Sequence, residues 1–338
     1  MANNIAAIKN YTTILDRVRQ REATSSCLNS PARTARAGRN AKEIMIPMIS
    51  VTGLGDYTRS VGYKTGSIDF AYETKAFNYD RGIKLLADVM DVEEAGVLDC
   101  FVQAGAELER TQVAPEADVF TYATIASHKG VAVEAADLSS AKATDVLAAL
   151  RKVTNAMDEA QVTPGSRYLF ITPTLKGVLD DFSLANPTRS NRVLERFSRI
   201  VEVPQVRFYS HIDLLSGDED QFGYAPAEGS YELTSDTEVV SGKTYYTESS
   251  GTYSKVASPQ KSGLSTYYEL VGAGAPINFL VVEKSAVIKF DKHVASRVFS
   301  PDELETLDSY MMKYRKYGIV ELLDNKLDGV RASVAPLE

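Results

Sequence analysis

The sequence predicts an α+β fold that combines a long β-hairpin, a long helix and an α/β domain. The hairpin is indicated by two apolar segments that flank the glycine-rich stretch "GLGDYTRSVGYKTG" at residues 53–66. The helix is indicated by apolar residues at helical spacing after Asp91, and the α/β domain by alternating strand and helix patterns over residues 143–290. The predicted molecule therefore consists of a compact α/β domain, a long helix and an extended hairpin.

Charge is distributed unevenly along the 338 residues, a length that favours about two domains. The formal net charge is −8, which argues against a surface that binds nucleic acid throughout. Residues 1–42 nevertheless carry eight Lys and Arg against Asp16 and Glu22, a balance of +6, so the remainder carries −14. This indicates an N-terminal arm, residues 1–41, that lies on acidic protein or near a polyanion, or else a solvated terminus. Its arginines are Arg17, Arg19, Arg21, Arg33, Arg36 and Arg39.

The two cysteines, Cys27 and Cys100, are too few for a disulfide framework and fit a reducing cytoplasm. The N-terminus lacks the apolar core of a signal peptide, and no apolar run reaches the length of a membrane span. We therefore expect a soluble chain that is made in the cytoplasm and has no membrane partner.

The hairpin is predicted over residues 42–81. Pro47 places its first strand at an edge, because proline has no amide proton for a ladder on both sides. In the second strand Ile68, Phe70 and Tyr72 alternate with polar residues, whereas Phe77 lies on the opposite parity. The change of parity predicts a bulge near residues 75–76.

The clearest helix begins after Asp91 and is expected over about residues 91–114, ending before Pro115. A shorter amphipathic helix is predicted over residues 5–21.

The α/β domain is predicted from alternating elements. They are a helix over 143–160, a strand over 167–172, a helix from Pro173 to about Phe182, a strand over 206–210, and one or two strands over 277–290. Residues 229–270, rich in Ser, Thr, Gly and Tyr, predict a small β insertion with a turn at Ser249–Thr252, the alternative being a long ordered loop.

The C-terminal region contains a capping box, in which Ser300 precedes Pro301 and is followed by Glu303. This pattern predicts a helix that extends to about Lys316. The segments "YGIVELL" and "GVRASV" are then predicted to pair as a closing hairpin across "DNKLDG".

No motif in the chain requires catalysis. The glycine-rich stretch has neither the spacing of a phosphate-binding loop nor a helix after it. His211 and Asp213 could share a face, but no nucleophile signature accompanies them, and a structural histidine is the better interpretation. Asp218 and Asp220 fit a solvated acidic turn better than a calcium loop. We expect no catalytic, cofactor or metal site.

The hairpin indicates assembly instead, because its apolar residues fall on both parities and one neighbouring element cannot cover both faces. Exposed apolar strands are an aggregation hazard unless another chain shelters them. We therefore predict that copies of the same chain cover the hairpin. The predicted contact residues are Ile46, Met48, Tyr57, Arg59, Tyr63, Lys64, Ile68, Phe70 and Tyr72.

This order of parts resembles a known family. A basic arm, a hairpin, "YDRGIKLLADVMDVEEAG" leading into a long helix, an α/β domain and "VEKSAVIKFDKHVASRVFSPDELETLDSYMMKYRKYGIVELLDNKLDGV" are similar to tailed-phage major capsid proteins. These have the Hong-Kong-97-like fold, which encapsulin shells share. The resemblance covers most of the chain except residues 229–270.

The resemblance implies an assignment for each part of the chain. The implied parts are an N-terminal arm (1–41), an extended E-loop (42–81), a first part of the peripheral P-domain with the spine helix (82–124), an axial A-domain (125–290) that contains the insertion (229–270), and a second part of the P-domain (291–338).

The implied function is that of a structural virion protein rather than an enzyme. Hexamers and pentamers of the chain would close an icosahedral shell around double-stranded DNA, which the chain would contact non-specifically. Scaffolding protein, portal and maturation protease would be further partners, and assembly would take place in the host cytoplasm. Scaffolding would be separate or unnecessary, and the shell uncrosslinked, although some members join a lysine placed like Lys64 to an asparagine.

Two other functions stay open at this point. The first is an encapsulin-like nanocompartment, which would hold protein cargo instead of a genome. The second is a soluble α/β enzyme with a dimerisation hairpin. The basic arm favours a viral shell over the nanocompartment, and no catalytic constellation appears in the sequence to favour the enzyme.

Overall fold

A computed structural model describes the chain except residues 1–22, 31–35, 38–41, 61, 90–104, 106, 186–191, 237, 240–242, 257–258, 261–265, 305–307 and 338. The chain forms two compact units, which are described separately. The hairpin unit comprises Asn29–Ala87 and Lys289–Glu321, and the sheet unit comprises Met1–Leu28, Asp88–Ile288 and Leu322–Glu338. The predicted helix over residues 5–21 lies outside the described residues.

The hairpin unit consists of strands arranged in two three-stranded sheets. The sheet orders are β1-β2-β3 and β15-β16-β4. The strands are β1 (Arg36–Ala37), β2 (Glu43–Val51), β3 (Ile68–Ala76), β4 (Tyr79–Asp88), β15 (Val287–Phe299) and β16 (Ser309–Leu322).

The predicted hairpin is confirmed, but the predicted bulge is wrong. β2 and β3 pair antiparallel in one uninterrupted register, from Glu43 opposite Ala76 to Val51 opposite Ile68. The parity changes at Phe77 because β3 ends there and the chain turns into β4, which belongs to the other sheet. β2 is the central strand of the order β1-β2-β3, so the edge position predicted from Pro47 is wrong for the strand as a whole. Among the described residues, β1 pairs with β2 opposite Ile44 and Met45 and not opposite Pro47 itself.

The helix predicted after Ser300 is wrong. The capping box is present, but it supports only one 3-10 turn, Pro301–Glu303, and the chain then enters β16. Within β16, Tyr314 and Lys316 are buried while Lys313 and Arg315 are exposed, which is the period of a strand rather than of a helix. Packing of that alternating segment overrides the local helix signal.

The sheet unit is built on a five-stranded sheet of order β5-β17-β14-β6-β7. The central strand β14 pairs antiparallel with β17 and β6, and each of those pairs parallel with the next strand outward. The elements are β5 (Ala132–Ala135), β6 (Arg167–Ile171), β7 (Arg199–Glu202), β14 (Ile277–Glu283), β17 (Val330–Val334), α1 (Ala114–Ala126), α2 (Ala143–Glu159) and α3 (Pro173–Ala185). Side chains of α2, α3, β6 and β14 form its core, including Leu150, Leu179, Leu169 and Phe279.

This topology overturns two predictions and confirms several. The closing hairpin is wrong, since β17 pairs with β14 and β5, whereas β16 belongs to the other sheet. The strand predicted over 206–210 is also wrong, because Gln205–Arg207 forms a 3-10 turn and Tyr209 makes only one bridge, to Pro276. The predictions that correspond to α2, β6, α3, β14 and β15 are confirmed.

The long helix does not end before Pro115 as predicted. A turn of π-helix over Glu109–Val113 leads directly into α1. The wider turn changes the hydrogen-bond register just before Pro115, where the missing amide proton of proline is tolerated. Residues 90–104 and 106, which carry most of the predicted apolar stripe, lie outside the described residues.

The insertion forms its own four-stranded sheet, as predicted, in the order β10-β13-β11-β12. Its turn falls at Ser250 and Gly251, whose φ angles are 55° and 79°, as a type I′ turn requires. The strands are β10 (Ser230–Leu233), β11 (Tyr246–Ser249), β12 (Thr252–Lys255) and β13 (Tyr268–Val271). Two short strands, β8 (Ile212–Leu214) and β9 (Tyr224–Pro226), precede the insertion in the sequence and pair antiparallel with each other.

Candidate functional site

One face of the β2–β3 hairpin is apolar along most of its length. Directly opposed residues share a face, and the register places Ile49 opposite Phe70, Val51 opposite Ile68 and Pro47 opposite Tyr72. We call these six residues the apolar face. The opposite face contains polar residues towards its outer end, including Ser50 and Asp69.

The apolar face is exposed to solvent. Ile49, Val51 and Ile68 are 66%, 65% and 69% exposed, and Phe70 and Tyr72 are 57% and 52% exposed. The rings of Phe70 and Tyr72 meet edge to face, 5.2 Å between centroids, which continues the apolar surface along β3. Soluble monomers rarely expose a contiguous patch of large apolar side chains without a partner for it.

The opposite face is better covered. Ile44 is buried, Ile46 and Met48 are half-buried, and the Glu73 carboxylate lies 2.7 Å from the Lys75 ammonium. The structure thus places two of the predicted contact residues, Ile46 and Met48, on the face opposite Ile68, Phe70 and Tyr72.

The predicted contact set omits Pro47, Ile49 and Val51, which complete the apolar face. The observed register identifies them, because it pairs odd positions of β2 with even positions of β3 and so places these three residues beside Ile68, Phe70 and Tyr72. Parity alone could not identify them, because apolar residues occupy both parities of β2.

The hairpin tip is folded rather than open. Thr52 donates its amide to the Ser67 carbonyl at 3.1 Å, and Gly62 donates to the Thr58 carbonyl at 2.8 Å. Gly62 has a φ of 82°, a conformation that favours glycine. The rings of Tyr57 and Tyr63 lie 4.8 Å apart.

The predicted tip residues project from this closed turn. Tyr57 and Tyr63 are 57% and 89% exposed, and Arg59, Lys64 and the neighbouring Leu54 are also exposed. The tip therefore presents aromatic and cationic groups beyond the end of the apolar face.

The base of the hairpin is held by a polar clamp. The Asn78 side-chain amide donates to the Val320 carbonyl at 2.7 Å, and the Val320 amide donates to Asn78 Oδ1 at 3.1 Å. Beside it Arg315 makes a two-pronged contact with Asp80, at 2.8 and 2.6 Å. The hydrogen bond from Arg315 lowers the pKa of Asp80 below its usual range.

Aromatic rings complete the base. The ring of Phe77 stacks on Tyr317 at 4.9 Å, and the Lys292 ammonium lies 4.9 Å from the Phe77 ring centre. These contacts fix the point from which the hairpin extends.

The predicted basic arm is only partly visible. Arg36 lies in β1, whereas Arg17, Arg19, Arg21, Arg33 and Arg39 lie outside the described residues.

Residues 23–28 of the arm are anchored to α1 of the sheet unit. The Asp118 carboxylate accepts hydrogen bonds from the amides of Thr24 and Ser25, each at 2.9 Å, and from both hydroxyl groups. Asp118 and Ser25 are fully buried.

The remaining candidate residues do not form a site. His211 Nδ1 lies 3.3 Å from the Ser210 hydroxyl, and burial lowers the pKa of this histidine. Asp218 accepts a hydrogen bond from the hydroxyl of neighbouring Ser216, as in an ordinary turn. Within the described ranges no three His, Cys, Asp or Glu side chains are grouped to hold a metal, and no described helix is long and apolar enough to cross a membrane.

Comparison with known proteins gives structural matches only. No family model matches the sequence, and no curated protein does so. The capsid of cyanophage P-SCSP1u is 13% identical, with 90% of this chain and 86% of that chain covered and a TM-score of 0.54. The mature capsid of bacteriophage PhiM1 is 13% identical, with 88% and 83% covered and a TM-score of 0.53.

A virus-like particle from Pyrococcus furiosus is also similar. It is 9% identical, with 98% of this chain and 99% of that chain covered and a TM-score of 0.51. The matches span nearly the whole chain, so this chain shares their overall fold.

Proposed function

We propose that this chain, which has the Hong-Kong-97-like fold of tailed-phage capsid proteins, is the major capsid protein of a tailed bacteriophage or prophage. Copies of the chain assemble as hexamers and pentamers into an icosahedral shell that encloses double-stranded DNA. The observation that carries the proposal is the exposed apolar face of a hairpin whose two strands pair without interruption and whose base is well anchored.

The energetics of that face favour association. Full burial of a large apolar side chain contributes roughly 1.5–3 kcal/mol, and five such side chains on this face are more than half exposed. A neighbouring copy that covers the face gains part of that energy at each contact. Closed symmetry repeats the gain around the shell, so individual contacts can be modest.

The partners follow from the same proposal. The basic arm, which carries +6 over residues 1–42, suits a non-specific contact with packaged DNA. Scaffolding protein, portal and maturation protease of the same phage are the further partners, and the chain passes from the host cytoplasm into the virion. Its role is structural rather than enzymatic.

Electron microscopy of the purified chain tests the proposal. We expect closed icosahedral particles, and a population of discrete monomers or dimers at high concentration would contradict it.

A second candidate is a nanocompartment that holds protein, and the likeness to the Pyrococcus furiosus particle favours it. The contents of the particles separate the two functions. Double-stranded DNA in particles from infected or induced cells supports the capsid, whereas a co-purified enzyme in particles that lack DNA supports the nanocompartment.

A shortened hairpin tests the role of this element. Ser50 and Asp69 are directly opposed in the β2–β3 ladder. The bonds from Thr52 to Ser67 and from Phe77 to Lys42 show that the backbone N–H and C=O groups of this pair point at each other. Replacing residues 51–68 with Asn-Gly therefore closes the strands with a two-residue turn. We expect a folded, soluble chain that forms no shells, and normal particles from this variant would contradict the role.

A further inference from the structure

The N-terminal arm is anchored to α1 next to the loop that carries Arg207. Thr24 Oγ1 donates a hydrogen bond to Asp118 Oδ2 at 2.8 Å, and Arg207 Nη1 donates to the same oxygen atom at 3.4 Å. Asp118 is fully buried, and the side chain of Arg207 is only 20% exposed. The residues that precede Thr24 in the chain therefore start beside this loop.

The loop and the neighbouring β8–β9 turn expose apolar side chains. Val206, next to Arg207 in sequence, is 64% exposed, and Phe222 is 62% exposed. Tyr224 joins them, because its hydroxyl donates to the Val206 carbonyl at 3.1 Å and it follows Phe222 by two positions. We call Val206, Phe222 and Tyr224 the loop patch.

The backbone around Phe222 keeps its ring at the surface. The ring lies against Gly217, where an added Cβ atom would be 2.9 Å from Phe222 Cε1. Gly217 also has a φ of 89°, a conformation that favours glycine. The turn is closed by hydrogen bonds from the Gly217 amide to the Gln221 carbonyl at 2.9 Å and from the Leu215 amide to the Gly223 carbonyl at 3.0 Å. The loop patch is therefore a preformed surface.

Carboxylates lie at the rim of the loop patch. Asp218 and Asp220 are exposed in the turn that leads to Phe222. Burial raises the pKa of the Tyr224 hydroxyl, and the nearby carboxylate of Glu116 raises it further, which places Glu116 on the other side of the patch. A segment that suits this surface combines an apolar stripe with cationic side chains.

The segment directly before the anchor has this composition. The predicted helix over residues 5–21, which lies outside the described residues, has Ile14, Leu15 and Val18 on its apolar stripe and carries four Lys and Arg against one Asp. Val18 is six residues from Thr24. That length of chain spans about 9 Å as a helix and roughly 20 Å when extended, so the stripe can reach a loop that begins at the anchor.

We propose that the helix over residues 5–21 docks on the loop patch of its own chain, with its apolar stripe against Val206 and Phe222. The short connection to Thr24 favours the same chain over a second copy, because a tethered segment has a high effective concentration at a nearby surface. The docked helix presents its polar, cationic side to other molecules and keeps its apolar side covered. This inference does not depend on the proposed function.

Hydrogen exchange measures whether the loop patch holds the helix. We expect the amides of residues 12–21 to exchange about tenfold more slowly in the wild type than in Val206→Lys, which places a cation where the stripe packs. Leu184→Lys is the matched control, because Leu184 is an exposed aliphatic residue near the end of α3, outside the patch. Equal exchange of these amides in all three proteins would overturn the proposal.

Cysteine pairs distinguish docking within one chain from docking between copies. Val18→Cys with Val206→Cys, in a Cys27→Ser, Cys100→Ser background, should form a disulfide within one chain under mild oxidation, since the bond needs Cα atoms about 4.4–6.8 Å apart. Val18→Cys with Leu184→Cys is the control and should stay reduced. Denaturing mass spectrometry identifies the products.

A second pair allows for a different rotation of the helix. Leu15→Cys with Val206→Cys is oxidised in the same way, and one of the two Val206 pairs should close within the chain. A covalent dimer would assign the loop patch to the arm of a second copy, and free thiols in both pairs would leave the patch without this occupant. Either result would overturn the proposal.

The two proposals can fail separately. Wild-type shells without the intrachain disulfide would leave the capsid function standing and remove the docking of the arm. The disulfide without shells would do the opposite.

Discussion

Asp118 is the residue on which the visible end of the N-terminal arm depends. Its buried carboxylate satisfies the first amides of the 3-10 turn Thr24–Leu28 from a helix more than 90 positions away in sequence. Buried donors left without an acceptor are costly. The 3-10 turn Thr24–Leu28 is therefore fixed to α1.

We predict that Asp118→Ala lowers the free energy of unfolding by about 3 kcal/mol, because it leaves the amides of Thr24 and Ser25 unsatisfied in the interior. Urea unfolding measures the loss, and limited proteolysis should show new cleavage near residues 23–30. Asp137→Ala is the control, since Asp137 is exposed and bonds only Ser139 in a local turn. Equal effects of the two substitutions would contradict the anchoring role.

We predict that Asp80→Asn weakens the hairpin unit in a pH-dependent way. The pKa of Asp80 is lowered by its hydrogen bonds from Arg315, so the stabilisation is complete above the unfolded value of 3.8 and is lost as the pH falls through the lower folded value. Because the pair is exposed, the difference at neutral pH should be about 0.5–1 kcal/mol. Chemical unfolding of both proteins at neutral pH and in acid checks this, and a difference that grows in acid would refute it.

The elements show where sequence patterns suffice. The helix α2 was predictable because its apolar residues recur at helical spacing, and α3 because Pro173 marks its start. The hairpin and β6 were predictable because they are short apolar segments bounded by turn residues. The same holds for the insertion turn at Ser250 and Gly251.

Other elements were fixed by non-local contacts. The capping box at Ser300 correctly predicts one turn, but the strand that follows is fixed by pairing within the β15-β16-β4 sheet. The position of β17 between β14 and β5 likewise depends on partners far away in sequence. In the candidate site, the alternation of residues along β2 could not show which face of the hairpin is exposed, because both faces carry apolar side chains. Ile44 is buried only because the rest of the fold packs against it.

The insertion is predicted to be separable from the sheet unit. Its first and last strands are neighbours, with Ser230 opposite Val271, and they are bounded by Gly229 and Gly272, which have φ angles of 76° and 73°. Replacing residues 230–271 with a short Gly-Ser linker should leave the five-stranded sheet folded, with a modest fall in Tm. Circular dichroism and thermal unfolding measure both, and an insoluble chain would show that the insertion is part of the core.

On the scale of the whole molecule, the features combine into a chain suited to repetition. The sheet unit supplies a conventional buried core, whereas the hairpin pairs β2 with β3 in one uninterrupted register and leaves its apolar face uncovered. The basic opening and the acidic remainder of the chain are complementary in charge, which suits contacts between copies as well as contact with DNA. The account therefore depends on the hairpin face being completed by other copies of the chain.

The most direct measurement compares Phe70→Lys with Ala71→Lys by sedimentation velocity. The two variants add the same charge to adjacent exposed positions of β3, but Phe70 lies on the apolar face and Ala71 on the opposite face. We predict that Ala71→Lys sediments as shells like the wild type and that Phe70→Lys sediments as folded chains of 37.0 kDa or small oligomers. Shells of equal yield from both variants would contradict the claim that neighbouring copies cover this face.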